Sequence, residues 1–541
     1  MSEPGGRGAT SAVSGDSPEV VPSLLPDHLP FARAASIIAV VVLAGALFGY
    51  DQGVISGALI GIQKAFDVGH VALEIVTSWV TLGALFGSLG GGYAADLFGR
   101  KRALLVAAAL FIGGALVQSF APNVPILVLG RLVAGFGVGV AAVAAPLYAA
   151  ELAPAAQRGR YVSSYQLAIT IGIFVAYFVN QALAGPEGWR TMLGAAAVPG
   201  VLLALAVLVA VESPRWFAKV GRREDALRTL VALGAEHDAE TRLAAIAKSL
   251  RAEVKTPSWA EVFAQRWRRP LMIGLGLAVL QQLTGINAII YYSNSIFAAA
   301  GFATPAEQAQ ATTWAIGAVN VLSTFIAIAF IDGLGRRPLL IAGLIGMALS
   351  LAVVGFAFWQ SGAEGRLGSS AGVITLGALV VFIISFAFSL GPVTWTVINE
   401  IYPNEIRGRA VAVATAVNWG AAFLVAEFFL SLVNASAGSL SGCPRHAAAR
   451  WKRSRRRGHT SRRRAHRVFG LSLAARPRLP PRRRQNADCR GGLRQSRAHV
   501  SIFSAAMNAS WGMSTLPNCR IFFFPAFCFS SSLRLRVASP P

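Results

Sequence analysis

Asp51 stands inside an apolar run, Gly49-Tyr50-Asp51-Gln52-Gly53-Val54-Ile55-Ser56-Gly57. A carboxyl in such surroundings is costly unless something compensates its charge. Arg131 is the other deep charge of the first half. It follows the apolar stretch 124–129 and precedes Gly135, Gly137 and Gly139. The economical arrangement is a pair in which Arg131 holds Asp51 ionised. If a conformational change separated them, Asp51 would lose its counter-charge and take up a proton. That is a proton-coupling device. The plainer alternative is a static buried pair that only fixes helix packing; coupling is preferred. The glycines around Asp51 permit close packing or a helix break. Glu427 is a third deep charge, read as a helix-contact or cavity residue with no assigned role.

A second constellation is uncharged. Gln281, Gln282, Asn287 and Tyr291 lie within eleven residues of an apolar stretch. Unpaired polar groups in an apolar site cost roughly 2–7 kcal/mol on transfer scales, so these need partners. Amides and phenols both donate and accept, which suits a neutral ligand rich in hydroxyls. At 100° per residue, Gln281, Asn287 and Tyr291 share one face, with Gln282 lying off it. A break near Gly285 would bring Gln282 round, as in discontinuous transporter helices. Interhelical hydrogen bonding is the bland alternative. Trp395, Asn418 and Trp419 add aromatic faces and another amide, and Gln166 could contribute from the other half. The set points to a polyol or sugar.

Other chemistries find little support. The histidines before residue 440 are His28, His70 and His237, all near loops or tails, and no Ser/His/acid set stands out. There is no Gly-x-x-x-x-Gly-Lys-Ser/Thr phosphate loop, which argues against an ATP-driven pump. No enzyme activity, cofactor or metal is expected. The net charge of +24 invites a nucleic-acid reading, but the charge is local. Residues 441–541 hold 22 of the 49 Lys and Arg and a single acid, Asp488. The remaining 27 basic and 24 acidic residues leave the body at +3. All four cysteines, Cys443, Cys489, Cys519 and Cys528, also lie in that tail.

The elements that must carry these residues are apolar runs of membrane-spanning length, about 20 residues each. Spans are predicted at 35–59, 75–95, 103–120, 125–150, 161–183 and 191–211, then at 271–299, 312–331, 339–359, 372–399 and 410–433. They should be helices, because a helix satisfies its own backbone hydrogen bonds in lipid. Alternate short loops carry Arg100, Lys101, Arg102, Arg158, Arg160, Arg336, Arg337, Arg407 and Arg409; the opposite loops carry Lys64, Arg190 and Arg366. Nine against three places the basic set, and with it the N-terminus, in the cytoplasm. Segment 212–270, with 12 basic and 8 acidic residues, reads as a cytoplasmic linker with helices near 222–234 and 238–254.

The chain also repeats itself. Asp96-x-x-Gly99-Arg100-Lys101 returns as Asp332-x-x-Gly335-Arg336-Arg337, 236 residues on. Glu151, followed by Pro154, Arg158 and Arg160, returns as Glu400, followed by Pro403, Arg407 and Arg409, 249 residues on. Two motifs recurring at nearly one offset imply two halves in parallel orientation. The acids and arginines at these helix ends could latch the halves together on that side. The second half is then one span short. The abrupt onset of Arg, Pro, Ser and Cys after Leu440 is read as a shifted reading frame, in preference to a true appendage.

These residues resemble the sugar porter family of the major facilitator superfamily over about residues 35–435. The Gly-x-x-x-Asp-x-x-Gly-Arg motifs point to the superfamily. Glu212-Ser213-Pro214-Arg215, Gln281-Gln282-x-x-Gly285-x-Asn287 and Gly391-Pro392-x-x-Trp395 point to sugar porters. The resemblance implies that Gln166, Gln281, Gln282, Asn287 and Trp395 line a sugar site. Asn418, with Trp419 beside it, stands where bacterial xylose carriers have Gln. An acid at Asp51 marks proton symporters. Glu151, Glu400, Arg100, Arg160, Arg336 and Arg409 match the family's cytoplasmic charge network. Family members end with a twelfth span, which is not visible here.

The expected fold is therefore an all-α polytopic membrane protein, a major facilitator-type fold of two parallel six-helix halves lacking its twelfth helix. Its expected parts are a disordered cytoplasmic tail (1–34), a first half (35–211), the linker (212–270), a second half (271–436) and the basic tail (437–541). The expected function is proton-coupled symport of a neutral pentose or hexose across the plasma membrane, in a bacterium the inner membrane. The proton is the coupling ion, the bilayer and a sugar are the partners, nucleic acid is not, and a monomer is expected. The alternatives are a facilitative uniporter, a non-transporting sugar sensor and an inactive truncated carrier.

Overall fold

A computed structural model of the chain describes residues 25–442 apart from 27, 155–156, 186, 253–258, 361–368 and 404–405. Most of the expected N-terminal tail and nearly all of the basic tail lie outside the described residues, as does the side chain of Asp332.

The described residues form helices and no strand. Five uninterrupted spans open the chain: α1 (Phe31–Phe66), α2 (His70–Phe98), α3 (Arg100–Ser119), α4 (Val124–Leu152) and α5 (Arg158–Ala182). The sixth is broken into α6 (Trp189–Ala195) and α7 (Ala197–Val209). Pro199 explains the break, since its ring clashes with the carbonyl four residues back, that of Ala195. Short helices α8 (Pro214–Lys219), α9 (Arg223–Ala232), α10 (Ala239–Ala252) and α11 (Trp259–Val262) follow. The two expected linker helices are α9 and α10, slightly shorter than their periodicity suggests.

The second half begins with α12 (Arg268–Leu283) and α13 (Ile286–Ala299). Then come α14 (Pro305–Ala311), a π-helical stretch (Thr312–Ala318) and α15 (Val319–Leu334). The remaining helices are α16 (Arg336–Gln360), α17 (Ser369–Phe388), α18 (Leu390–Ile401) and α19 (Arg407–Gly442). The break between α17 and α18 repeats the proline logic: Pro392 stands four residues after Phe388, where α17 stops. Among the described residues, ten helical segments are long and apolar enough to cross a membrane. The expected eighth span, 312–331, changes helix type at Ala318, and its α-helical part has 16 residues.

Packing inside the first half is close. α1 lies along α5, α2 along α4, and α3 on α4 and α7. The glycines flanking Asp51 serve this approach rather than a break, because α1 runs unbroken past them. A Cβ on Gly49 would run into the carbonyl oxygen of Ile169, and one on Gly53 would come within 2.8 Å of that of Ile173. Gly135 and Gly139 do the same for α4 against the Val80 and Ala84 carbonyls of α2. The sequence repeat has a backbone counterpart. Gly99 (φ 97°, ψ 158°) and Gly335 (φ 80°, ψ 159°) turn the chain between spans in one conformation, which only glycine adopts without strain.

The halves meet along α2 and α19, α1 and α13, and α5 with the π-helical stretch and α15. At the end away from Arg100 and Arg336 the seam is hydrogen-bonded. Glu74, 2% exposed, accepts from the Ser431 amide (2.6 Å) and hydroxyl (2.5 Å). Reciprocally, Ser78 donates to Glu427. Tyr177 donates to the Ile290 carbonyl (3.0 Å) and Thr313 to the Tyr177 carbonyl (3.0 Å).

Candidate functional site

Asp51 on α1 and Arg131 on α4 are paired, with Arg131 Nη1 2.8 Å from Asp51 Oδ1. Both are buried, Arg131 completely and Asp51 to 3% exposure. Arg131 also donates through Nε to the Val76 carbonyl (3.0 Å) and through Nη2 to that of Thr77 (3.5 Å). The guanidinium thus ties α1, α4 and α2 together, using its fixed fork of donors. The pair inferred from the sequence exists; its role in coupling is a separate question of mechanism.

The uncharged constellation forms around a helix break at Gly285. There φ is 86°, so α12 ends at Leu283 and α13 restarts at Ile286. The break brings Gln282 onto the face of Asn287, whose Nδ2 donates to Gln282 Oε1 at 2.7 Å. Gln282 Nε2 donates to Asn418 Oδ1 on α19 (3.1 Å). Asn418 Nδ2 donates to Gln281 Oε1 (2.8 Å) and to the Ala278 carbonyl (2.9 Å). Gln281 Nε2 donates to the Leu390 carbonyl at the start of α18 (2.7 Å). Four amides therefore point one way in a single chain, each donating to the next. Tyr291 is fully buried on the same break-flanking helix.

A narrow cleft lies beside Asp51. It is lined by Phe48, Asp51, Gln52, Thr81, Tyr291 and Trp419, among others. Trp419 packs on Phe48 with ring centroids 5.2 Å apart, closing it with an aromatic face. Gln166 is half-buried on α5 and makes no hydrogen bond to a described residue. Trp395 packs against a smaller cluster containing Leu271, Ala278, Ile398 and Tyr402.

Sequence reasoning passed over Gln52 as a site residue. Its Nε2 reaches Asn287 Oδ1 (3.3 Å) and the Tyr291 hydroxyl (3.5 Å). The signal was available, since a second polar residue follows Asp51 inside the same apolar run. The Glu74–Ser431 bond was also missed, because the span was expected to begin at 75, leaving Glu74 outside it.

The motif charges lie at the opposite end of the helices. Arg100 pairs with Asp96 (3.1 Å) and Glu151 (2.8 Å), and Lys219 with Asp96 (2.8 Å). Arg336 pairs with Glu400 (3.0 Å). Each of these pairs stays within its own half or its linker, so none is a latch between halves in this conformation. The halves are held at the other end instead. Arg160 and Arg337 are near the same end, and Arg409 sits on the first turn of α19.

Glu212 explains one motif physically. Its Oε1 accepts from the backbone amides of Arg100 (3.1 Å) and Ser213 (2.9 Å), and Oε2 from that of Lys101 (3.0 Å). It thereby caps the N-terminus of α3. Ser213 caps α8 through Oγ, accepting from the Trp216 amide (3.3 Å), with Pro214 at the first helical position.

The profile of the family described as "Sugar (and other) transporter" matches residues 37–444. The chain belongs to the sugar transporter family. Among its relatives are the galactose-proton symporter of Escherichia coli K12 and the D-xylose transporter of Levilactobacillus brevis. The first is 40% identical over 395 residues, 72% of this chain and 83% of that protein. The second is 38% identical over 398 residues, 72% and 85% of the two chains. Two solved structures of the Escherichia coli xylose transporter XylE are similar in fold. Its partially occluded inward-open form gives a TM-score of 0.62 at 29% identity, covering 73% of this chain and 92% of that one. Its complex with 6-bromo-6-deoxy-D-glucose gives 0.63 at 31% identity, covering 75% and 90%. As a sugar transporter family member the chain is a multi-pass membrane protein of the major facilitator fold, and a transporter rather than an enzyme. Ten helical segments of spanning length and composition lie among the described residues, with the 312–334 segment, part π-helical, beside them.

Proposed function

We propose that the protein carries a neutral monosaccharide, pentose or hexose, together with a proton by alternating access. One observation carries the reading. A buried, paired carboxyl lines a cleft with Gln52 and Tyr291, and Gln52 donates to Asn287 at the head of a chain of uncharged amides suited to hydroxyls. The similarity to proton symporters of galactose and to sugar-bound XylE supports it. Gln281, Gln282, Asn287, Tyr291, Asn418 and Trp419 form the sugar site from the second half. Gln166 and Trp395 join it when the halves close round a ligand.

The proton is the coupling ion, and no other cofactor takes part. In the present conformation Arg131 donates to Asp51, a contact that favours the ionised carboxyl. Protonation of Asp51 removes the charge that holds the guanidinium. Arg131 then keeps the Val76 and Thr77 carbonyls of α2, and α1 is free to shift relative to α4. A buried cation without its partner is expensive, so proton binding and helix movement are obligatorily linked. That linkage is what distinguishes a symporter from a uniporter.

The basic loops and the N-terminus face the cytoplasm of a cell bounded by this membrane, in a bacterium the inner membrane. The end sealed by Glu74, Ser78, Glu427 and Ser431 is then external, and the state described is inward-facing. The protein works as a monomer in the bilayer, with 35–211 and 271–436 as its moving halves and 212–270 as the linker between them.

The test is sugar uptake into de-energised cells or proteoliposomes with external pH recorded. Sugar entry accompanied by external alkalinisation is expected. Sugar entry without proton movement would establish a uniporter instead.

A further inference from the structure

Gln52 differs from the other amides in where it comes from. Among the described residues it is the one polar side chain of the first half that donates to the amide chain of the second. Phe48 and Gln52 are four residues apart on α1 and so share a face. Phe48 meets Trp419, and Gln52 meets Asn287 and Tyr291. Asp51, the proton carrier of the reading above, is its chain neighbour.

The hydrogen-bond inventory of this contact is incomplete in a specific way. Both hydrogens of Gln52 Nε2 are spent, on Asn287 Oδ1 at 3.3 Å and the Tyr291 oxygen at 3.5 Å. Gln52 Oε1 accepts from no described residue. The Tyr291 hydroxyl accepts from Gln52 and donates to no described residue. Gln52 is 7% exposed and Tyr291 fully buried, and both line the cleft. One unspent acceptor and one unspent donor therefore adjoin each other in an otherwise satisfied network. Buried polar groups are ordinarily paired, so a complementary group is called for. A hydroxyl supplies one donor and two acceptors and fits both at once.

We propose that Gln52 and Tyr291 together bind one hydroxyl of the sugar, with Tyr291 donating to it and Gln52 Oε1 accepting from it. The inference rests on the sugar-site reading and adds a contact from the half that carries Asp51. It makes Gln52 a specificity-determining residue, since a sugar lacking that hydroxyl leaves two buried groups unpaired. It also gives occupancy a direct route to the proton site, because the sugar is held by the residue following Asp51.

The test uses the full chain in detergent and equilibrium titration with D-xylose, D-glucose, D-galactose and their monodeoxy analogues. The wild type is expected to bind one parent sugar more tightly than one particular deoxy analogue, on the order of three- to tenfold per lost neutral hydrogen bond. Gln52→Met and Tyr291→Phe are both expected to abolish that discrimination, at the same hydroxyl, while leaving discrimination at the other hydroxyls in place. The double variant should lose nothing more. A purely structural role would weaken parent and analogues alike, and that result overturns the proposal. So does loss of discrimination at two different hydroxyls. Should Gln52→Met fail to fold, Gln52→Asn, whose amide is drawn back by one methylene, decides on the same criterion. If the wild type binds none of these sugars, the sugar-site reading falls and takes this contact with it. If it binds them and Gln52→Met discriminates as before, this contact alone is wrong.

Discussion

Charge removal at Asp51 separates coupling from stability. In Asp51→Asn the amide oxygen can still accept from Arg131, so the guanidinium keeps a partner. In Asp51→Ala it keeps none on α1, and breaking a buried pair by deleting one member costs about 3–5 kcal/mol. Asp51→Asn should therefore fold, bind sugar and exchange it, yet fail to accumulate it against a gradient. Asp51→Ala should express and melt markedly worse. Counterflow and proton-driven uptake on the same vesicles read the two properties. Concentrative uptake by the Asn variant would remove Asp51 from the coupling role. At this scale the sequence was informative where a polar residue broke an apolar run, as Asp51, Arg131 and Asn287 do. It was less so where the meaning of a residue depends on which neighbour it meets. Sequence alone reads Trp395 as a site aromatic; in this conformation it packs on the cluster of Leu271, Ala278 and Tyr402, and the Ala278 carbonyl accepts from Asn418. Glu427 reads in sequence as a helix-contact or cavity residue with no assigned role, and it accepts from Ser78 across the seam.

Between helices, the two reciprocal Glu–Ser contacts set how readily the far end opens. Glu427→Leu keeps an apolar volume on α19 but deletes the acceptor for Ser78. A hydrogen bond to a charged group is worth about 1.5–3 kcal/mol, enough to move the open fraction by one or two orders of magnitude. The first 440 residues contain no cysteine, so Thr81→Cys in a background without the four tail cysteines is a clean reporter inside the cleft. Its labelling by an impermeant maleimide from the far side should rise in Glu427→Leu. Unchanged labelling would mean that the α2–α19 contact is carried by packing alone. Glu212 makes a pH-dependent prediction at the other end. Burial pushes its carboxyl above the ordinary 4.5, outweighing the opposing pull of the Ser213, Lys101 and Arg100 amides and of the Arg100 guanidinium. The folded chain then holds this proton to higher pH than the unfolded chain does. Between the two values the folded state binds more protons, so this contribution to stability declines as pH rises. Glu212→Gln lacks the titration. Its melting temperature relative to wild type should improve as pH is raised from 4.5 towards neutrality, and a pH-independent difference would contradict the assignment. Helix existence and order were legible from hydropathy, and the break at Gly285 from the position of Gln282. Seams were not, because lipid and protein neighbours are equally apolar and leave the same pattern.

For the molecule as a whole, the two halves were legible because two motifs recur at one offset, and Gly99 and Gly335 repeat a conformation as well as a letter. The same pseudosymmetry says what the described part of the second half lacks. In the first half, α6 and α7 pack on α3 and on α1. The counterparts of α3 and α1 are α16 and the α12–α13 pair, and no described helix plays the part of α6 and α7 for them. On α16 the residues Ile341, Ile345, Leu349, Val353 and Phe356 follow one another at helical spacing, and each is at least 44% exposed. Replacing 443–541 with the twelfth span of a relative such as the galactose-proton symporter should cover this stripe. The expected result is a rise in melting temperature of roughly 5 °C or more, as a few kcal/mol of added packing would give. Sugar uptake per inserted molecule should increase with it. Both effects should vanish when the added span carries charged residues on the face that meets α16. If the added span changes neither melting nor uptake, the stripe on α16 is a lipid-facing surface, and the described helices suffice for the fold.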